Sequence, residues 1–337
     1  MPVLHAPAPR MHRLRAGARP GVLAAIACAL ALAAFAAPRR AEAGWGLTGI
    51  PATRAPRAQS RPAAVSDGAG GMLLAWLDHR SGYNVDVYAQ RVLPVGSIGT
   101  NWSPDGNALT HVTCTKSDLA LASDGAGGAI AVWADVRCPG NGVARVYAQR
   151  VRSTGAIDPA WPADARALCS TTALQDKPAI APDGAGGAFV VWNDRRTGVA
   201  ALYATRVLAD GAIAPGWPDS GLRVAPLTRD TCAAVVAADG TGGALVAWVA
   251  PGPAADTIHV QRLTASGAPA TGWPAAGALA CTAPGRREAL ALTATAAGGA
   301  WLAWVDRRGA DADVYATRFD AAGALEPGWS AGGDAIA

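Results

Sequence analysis

The chain of 337 residues carries a formal net charge of +4, but residues 1–43 hold six arginines and one glutamate. Without that segment the net charge is −1, so no field that attracts a polyanion follows, and nucleic acid is excluded as an expected partner. Only 16% of the residues are charged and 40 are glycine, which favours an all-β fold with many tight turns.

The N-terminal segment has the three parts of an export signal. Arg10, Arg13, Arg15 and Arg19 form its positive start, residues 22–37 are apolar, and Ala-Glu-Ala at 41–43 forms a cleavage site. The apolar run has about 16 residues, fewer than the ~20 that a membrane-spanning helix needs. We predict that residues 1–43 are a signal peptide that is removed. The remainder, residues 44–337, is predicted to be secreted, periplasmic or on the cell surface, without a membrane span.

A segment that begins Asp-Gly-x-Gly-Gly recurs through the rest of the chain. Its five copies start at Asp67, Asp124, Asp183, Asp239 and Thr295, at intervals of 57, 59, 56 and 56 residues, and the last copy has lost its aspartate. A fixed period of this length marks a repeat architecture. We therefore predict that residues 44–337 are a single domain of five repeats.

Each repeat contains four short strands, A to D, which are clearest in the third copy. Residues 178–183 are small and apolar, 188–192 form a continuous apolar run, 201–207 alternate between two faces, and 221–225 form a brief fourth segment. Glycine-rich or polar turns separate them, as expected for antiparallel hairpins. Four-stranded units repeated around an axis form a β-propeller. The sequence thus predicts a five-bladed β-propeller of four-stranded antiparallel blades, with strand A beside a narrow channel.

The two ends of the chain leave the closure of the ring open. A segment led by tryptophan precedes strand D six times, against five copies of strands A to C; it starts at Trp45, Trp102, Trp161, Trp217, Trp273 and Trp329. The N-terminal copy could supply the outer strand of the last blade, or the C-terminal copy could complete its own blade. A third alternative is that the chain is a piece of a larger ring.

The repeat combines D-G-x-G-G with W-x-D-x-R and with [VL]-Y-A-[QT]-R-[VF]. It resembles repeats of large exported bacterial proteins that are treated as β-propellers, and it is distantly similar to sialidase-like propellers. The resemblance covers residues 45–337 and implies the fold. It implies no activity, because the sialidase Asp-box, S-x-D-x-G-x-T-W, has a shorter spacing from Asp to Trp and because propellers carry many unrelated functions.

The residues that recur in every repeat are expected to be structural. All the tryptophans except Trp301 occupy one of two repeat positions, where packing of blade on blade is expected and sugar stacking is the alternative. In W-x-D-x-R, the aspartate is expected to accept turn N–H groups and the arginine to pair with a carboxylate. The fourth repeat has Val249-Ala250-Pro251 after its tryptophan and lacks both charges.

The unrepeated residues lie in the D–A and B–C loops, which share one face of a propeller and surround the channel mouth. Binding sites are usually found among such loops. The candidate ligand-binding residues stand immediately before or at the start of strand A: Arg61, Lys116, Asp118, Asp176, Lys177, Arg229, Asp230, Arg287 and Glu288. The alternative is that they are ordinary solvated loop charges.

No catalytic set stands out. Residues 44–337 contain only two glutamates, Glu288 and Glu326, and the acidic residues of the mouth have basic neighbours. No Ser-His-Asp pattern and no metal-ligand spacing is present, so no catalytic residue, metal or cofactor is assigned. Of the five remaining cysteines, Cys114 and Cys138 are favoured as a disulfide because both lie in same-face loops of the second repeat, whereas Cys169 and Cys281 are not expected to meet.

These patterns predict an exported, non-catalytic binding or interaction module, with a carbohydrate or a cell-envelope protein as ligand at the D–A/B–C loop face. Two alternatives stay open. One is a glycoside hydrolase or lyase that acts on a polysaccharide at the channel mouth, which two converging carboxylates would favour. The other is a structural fragment of a larger surface repeat protein.

Overall fold

A computed structural model of the protein describes residues 49–137, 142–226, 234–253 and 255–336. The predicted signal peptide lies outside these described residues, as do Cys138, Arg229 and Asp230. Within the described residues there is no helix long and apolar enough to cross a membrane.

The described strands form five separate four-stranded antiparallel sheets, here called blades 1 to 5. Blade 1 contains β1 (Gln59–Ser66), β2 (Met72–Asp78), β3 (Asp86–Val92) and β4 (Asn107–Ala108). Blade 2 contains β5 (Lys116–Ser123), β6 (Ala129–Asp135), β7 (Arg145–Val151) and β8 (Arg166–Ala167). Blade 3 contains β9 (Gln175–Pro182), β10 (Ala188–Thr197), β11 (Val199–Val207) and β12 (Leu222–Pro226).

Blade 4 contains β13 (Ala234–Ala238), β14 (Ala244–Ala250), β15 (Thr257–Leu263) and β16 (Ala278–Cys281). Blade 5 contains β17 (Arg287–Ala294), β18 (Ala300–Asp306), β19 (Asp313–Phe319) and β20 (Asp334–Ala335). The first strands of successive blades contact one another, β1 with β5, β5 with β9, β9 with β13 and β13 with β17. The predicted all-β, five-bladed propeller of four-stranded antiparallel blades is confirmed.

The B–C hairpin of blade 3 is tighter than the sequence predicted. The apolar run from residue 188 was expected to end at residue 192, but β10 continues to Thr197 and β11 already begins at Val199. A turn closed by the Gly198 amide on the Arg195 carbonyl at 3.0 Å joins them. The strand pairing therefore continues into the polar residues at the end of β10, because only Gly198 separates the two strands.

The D-G-x-G-G motif is an aspartate-capped hairpin turn between strands A and B. In blade 3, one carboxylate oxygen of Asp183 accepts the amides of Ala185 and Gly187, both at 2.8 Å. The other oxygen accepts Nε and Nη2 of Arg206 at 3.0 and 2.9 Å. A Cβ on Gly187 would lie 2.3 Å from the Val207 carbonyl oxygen, so only glycine allows strand C to approach. The motif thus fixes its own turn and anchors the arginine of strand C.

Four hydrophobic clusters join successive blades. Each combines one face of a blade, here called its forward face, with the opposite face of the next blade, its backward face. The forward face of blade 1, with Leu73 and Ala75, packs against Ala131 and Trp133 of blade 2, and equivalent clusters join blades 2 to 3, 3 to 4 and 4 to 5. Among the described residues, no such cluster joins blade 5 to blade 1.

The tryptophans that precede strand D fasten each junction with a polar contact. The indole N–H of Trp102, Trp161, Trp217 and Trp273 donates to a carbonyl of the following blade at 2.9–3.0 Å; the acceptors are Ser153, Ala209, Ala265 and Ala321. Buried N–H groups need such a partner. The second tryptophan position is equally structural, since Trp133, Trp192, Trp248 and Trp304 are at most 1% exposed.

The C-terminal tryptophan segment completes its own blade. Strand β20 pairs with β19 through Tyr315 and Ala335, so the outer position of blade 5 is filled. Residues 50–58 of the N-terminal copy form no strand, although Thr53 donates its hydroxyl to Asp105 of blade 1 at 3.3 Å. Of the alternatives that the sequence left open, the structure shows the one in which the C-terminal copy completes its own blade.

Replacing Trp217 with Phe tests the polar part of a junction. The indole N–H would be lost and the Ala265 carbonyl left without its donor, so we expect a loss of unfolding free energy of about 1–2 kcal/mol. The matched control is Trp329→Phe, because no described carbonyl accepts that indole, and its expected effect is below about 0.5 kcal/mol. Urea unfolding measures both, and equal losses in the two variants would contradict the assigned role.

Candidate functional site

A β-bulge interrupts strand A near the channel mouth in four blades, at β1, β5, β9 and β17. The third residue of each of these strands has a positive φ: Arg61 at 50°, Asp118 at 53°, Lys177 at 52° and Ala289 at 53°. Non-glycine residues in this region cost roughly 1–3 kcal/mol each. Because bulges re-aim side chains and recur beside functional sites, these four positions mark the mouth as the candidate site.

Two of the predicted site residues are buried beneath the mouth. The Lys116 side chain is 0% exposed; its ammonium group donates to the carbonyls of Val112 and Cys114 and lies 3.4 Å from Asp86 of blade 1. The Arg287 side chain is also 0% exposed, with its Nε 3.3 Å from Asp306. Lys116 therefore links blade 2 to blade 1, and Arg287 contacts the second strand of its own blade. Neither charged group is exposed to solvent.

The carboxylates of the mouth differ in their partners. Asp176 accepts Nη1 of Arg195 at 2.7 Å, and its other oxygen is buried without a described hydrogen bond. Asp118 is half-buried and accepts the Lys177 amide at 3.4 Å across the junction of blades 2 and 3. These two acids therefore lie on neighbouring strands, and Asp176 directly precedes the residue whose amide Asp118 accepts.

Glu288 is far more open to water. It pairs with Arg307 at 2.7 Å, but both side chains are more than half exposed, so the pair contributes at most about 1 kcal/mol. Arg61 and Lys177 are exposed at the same rim. Of the nine predicted residues, the structure brings together Asp118, Asp176 and Lys177.

The W-x-D-x-R motif forms a buried network behind the mouth. In blade 5, Asp306 accepts Nη2 of Arg308 at 2.6 Å, the Arg308 amide at 2.9 Å and the Trp304 indole at 2.9 Å. The Arg308 guanidinium stacks over Tyr315 at 3.8 Å. Burial alone would raise the pKa of Asp306, but these donors and the charge of Arg287 lower the pKa from 3.8 to about 2. The repeated motif is structural, as predicted.

Blade 2 carries a weaker version of this network. One oxygen of Asp135 has no hydrogen-bond partner among the described residues, and Arg137 Nε is 3.5 Å from the other. The Arg137 guanidinium donates instead to the carbonyl of Asp164. Burial raises the pKa of Asp135 above its ordinary value, against the opposing charge of Lys116. The same motif therefore holds a well-satisfied carboxylate in blade 5 and a poorly satisfied one in blade 2.

A shallow cavity of about 390 Å³ lies away from the mouth, between strand β8 and the loop before β12. Its polar lining includes Arg145, Arg166, Ser170 and Asp219. Asp219 is the single carboxylate among its described lining residues, which therefore supply no pair of acids. Among the described residues, no three His, Cys, Asp or Glu side chains are grouped in a way that could hold a metal ion.

The cysteines follow the prediction as far as they are described. Cys114 is disulfide-bonded, and its predicted partner Cys138 lies outside the described residues. Cys169 and Cys281 are free and buried. Each accepts a hydrogen bond from the motif arginine of its blade, Arg196 at 3.2 Å and Arg308 at 3.5 Å.

Comparison with known proteins returned fold resemblance alone. No family model matches the chain, and no curated protein matches it by sequence. An α-L-arabinofuranosidase from Lactobacillus brevis is 10% identical over 81% of this chain and 94% of its own, with a TM-score of 0.40. A levansucrase from Bacillus subtilis is 9% identical over 82% and 86%, with a TM-score of 0.44. An N-acetylgalactosamine deacetylase from F. plautii is 10% identical over 87% and 90%, with a TM-score of 0.42.

These structures correct the functional prediction. The sequence favoured a non-catalytic binding module, but the similar structures are enzymes of carbohydrate chemistry, which agrees better with the alternative of a polysaccharide-directed enzyme. The sequence had favoured a binding module because residues 44–337 contain only two glutamates and show no catalytic spacing. At these identities and TM-scores no residue or substrate is carried over to this chain.

Sequence reasoning missed the partners of the mouth carboxylates. Arg195 and Arg307 were not among the candidates, although each directly follows the aspartate of W-x-D. The strand ladder explains the pairing, since the start of strand A lies opposite the end of strand B: Asp176 is registered with Asn193 and Gln175 with Asp194. The bulges could not be predicted from the sequence, because the residues with a positive φ at the four bulges are of four different types.

Asparagine substitutions distinguish the two versions of the motif. Asp306→Asn would leave Arg308 and Arg287 unpaired in a buried site, and we expect a loss of about 3 kcal/mol. Asp135→Asn is the matched control and should cost less than about 1 kcal/mol, because its carboxylate is already poorly satisfied. Urea unfolding at neutral pH measures both, and losses that differ by less than the experimental error would refute the assignment.

The lowered pKa of Asp306 also predicts a pH dependence. A carboxylate whose pKa falls on folding stabilises the folded state above the unfolded pKa, and this contribution is lost as the pH falls through the folded value. With a shift from 3.8 to about 2, Asp306 should lose about 2 kcal/mol of stabilisation between pH 4 and pH 2. Urea midpoints across this range should fall less steeply in Asp306→Asn than in the unchanged protein; parallel curves would contradict the prediction.

Proposed function

We propose that this protein is a glycoside hydrolase whose site lies at the channel mouth, at the junction of blades 2 and 3. The observation that carries the proposal is the contact of the Lys177 amide with Asp118 at 3.4 Å. It joins Asp118 to the strand that carries Asp176, so two carboxylates from neighbouring strands belong to one rim. Hydrolysis of a glycosidic bond needs two such groups on either side of the bond.

The environments of the two acids suggest their roles. Asp176 shares its charge with Arg195 at 2.7 Å, and an ion-paired carboxylate serves as a nucleophile or base rather than as a proton donor. Asp118 accepts hydrogen bonds at 3.4 Å from an amide and from the Ser117 hydroxyl, with no described cation, so it is the candidate general acid. This difference in partners is the basis on which we assign the two roles.

The strained backbone supports the same location. Asp118 and Lys177 have φ values of 53° and 52°, and the bulges at β5 and β9 turn these residues out of the regular alternation of their strands. Fixing a carboxylate on a rigid strand keeps it in place during the reaction. The exposed Lys177 and Arg61 complete the proposed polar rim, and export through residues 1–43 would bring the protein to extracellular polysaccharides.

Two amide substitutions test this proposal. The unchanged protein is assayed on a panel of polysaccharides for new reducing ends, and the best substrate is then given to Asp118→Asn and Asp176→Asn. Loss of a general acid or nucleophile lowers the rate by about 10²–10⁴-fold, so we expect kcat to fall by that amount in each variant. The matched control is Asp210→Asn, an exposed turn aspartate whose change should leave the rate within about twofold.

Three outcomes would count against the proposal. Activity of Asp176→Asn close to that of the unchanged protein would remove this residue from the reaction. An unsaturated product, detected by its ultraviolet absorbance, would indicate a lyase. No release of reducing ends from any polysaccharide of the panel would exclude the proposed activity on those substrates.

A further inference from the structure

The inner strands of blades 1 to 3 present a line of charged side chains at the mouth, here called the charged row. Its members are the third residues of β1, β5 and β9, namely Arg61, Asp118 and Lys177. Their φ values are 50°, 53° and 52°, and β5 contacts both β1 and β9. Because the backbone and the position in the strand are the same, these side chains leave neighbouring strands at equivalent points. The candidate acid Asp118 therefore stands between two cations.

The two cations of the charged row are available to a ligand. Arg61 and Lys177 are exposed, and no described carboxylate, Asp118 included, forms an ion pair with either of them. The other acids of this face without a described cation are Asp311 and Asp313, which belong to the B–C loop of blade 5. The mouth of blades 1 to 3 is thus locally positive, although residues 44–337 have a net charge of −1.

Blade 1 adds an aromatic ring and a further cation beside the row. Tyr83, in the B–C loop, is 102% exposed. Arg57 is also exposed, and its guanidinium lies against the residue before this tyrosine, since a Cβ on Gly82 would be 3.1 Å from Arg57 Nη1. A tyrosine offers an apolar ring face together with a polar hydroxyl. This combination suits the face and the hydroxyl groups of a sugar ring.

The loop that carries Tyr83 is held on both sides of the ring. On one side, the Ser81 hydroxyl donates to Asp86 at 2.9 Å. On the other side, the Asn84 side-chain oxygen accepts the Cys114 amide at 3.1 Å, four residues before Asp118 in the sequence. The loop of blade 1 is therefore tied to the segment that leads to the candidate acid, and the tyrosine has a fixed place beside the row.

We infer that the substrate of this site is an acidic polysaccharide, whose sugars carry an oxyanion in the form of a carboxylate or a sulfate group. The inference rests on the proposed function, because the glycosidic bond has to lie at Asp118. Arg61 and Lys177 bind charged groups of the sugars on either side of that bond, through charge-assisted hydrogen bonds. Tyr83 stacks on a sugar ring further towards blade 1.

The spacing of the two cations favours a chain of sugars over a small anion. Packed sheets lie about 10 Å apart, and Arg61 and Lys177 are separated by the whole of blade 2. One small anion can contact only one of them, whereas an extended polysaccharide reaches both. A nucleic acid is also an extended polyanion, and the experiment below distinguishes it from a glycan.

The experiment measures binding of the full chain by isothermal titration calorimetry to two pairs of polymers. Carboxymethylcellulose is compared with hydroxyethylcellulose, and dextran sulfate with dextran, so that each pair shares a backbone and differs in charge. We expect tighter binding of the charged member and a loss of this preference at high ionic strength. The charged pair with the larger preference identifies the oxyanion as carboxylate or sulfate.

Substitutions in the row test which residues produce the preference. Arg61→Ala and Lys177→Ala should each raise the Kd for the charged polymer by about two- to fivefold, and the double variant by about tenfold. Alanine is compatible with this backbone, since Ala289 has the same φ at the equivalent position of blade 5. The matched control is Arg223→Ala, an exposed cation on the outer strand of blade 3, which should leave the Kd unchanged.

Two further comparisons separate the contributions to binding. Tyr83→Ala should weaken binding of the charged and the neutral member of a pair by the same factor, because stacking does not depend on charge, and Tyr83→Phe should restore it. The arginines of residues 1–43 are present in every variant, so they do not contribute to the differences between variants.

The inference is overturned if the unchanged protein binds charged and neutral polymers equally or binds neither. A preference that persists in the double variant would remove the charged row as its source. Equal affinity for an oligothymidylate would show that charge alone is recognised. Cleavage confined to neutral polysaccharides would refute this inference and leave the proposed hydrolase intact, whereas row-dependent binding without new reducing ends would refute the hydrolase and leave the acidic ligand.

Discussion

The structure depends on one polar clamp that is repeated at the blade junctions. In blade 3, Asp183 holds its own hairpin turn through two amides and the Arg206 guanidinium through its second oxygen. Arg206 also reaches the Gly242 carbonyl of blade 4 at 3.4 Å. The carboxylate is 1% exposed, and a buried charge is tolerated only when it is paired and fully hydrogen-bonded. Turn geometry, strand pairing and blade contact are therefore fixed by the same pair of residues.

The aspartate–arginine clamp is altered in blade 5. Blade 5 has Thr295 in place of the aspartate, and Arg318 lies 3.5 Å from Glu326 of its own blade. Its forward face carries Trp301 where blades 1 to 4 have Leu73, Ile130, Phe189 and Leu245. This large aromatic covers part of the apolar surface that another blade would bury, yet Val314 beside it stays exposed. The terminal blade thus keeps the shape of a junction with altered polar contacts.

The mouth and the junctions use charge in different ways. At the junctions the carboxylate has several donors, as Asp183 shows with Ala185, Gly187 and Arg206, and the charge contributes to stability. At the mouth, Asp118 has long contacts and Asp176 has one oxygen without a described partner. The strained backbone of Asp118 and the unpartnered oxygen of Asp176 are costly to a fold and useful in a reaction, which is why the mouth is the better candidate for function than the repeated motifs.

The sequence alone determined the repeat, the strands and the fold, because period, turn residues and apolar runs are local properties that each repeat shows five times. It also placed Asp118, Asp176 and Lys177 at the mouth, since loop position follows from strand order. Tertiary structure decided the rest. The burial of Lys116 and Arg287, the bulges under Asp118 and Lys177, and the uncovered face of blade 5 depend on which residues of neighbouring blades meet. That information is absent from any single repeat, because contacts between blades join residues about one period apart.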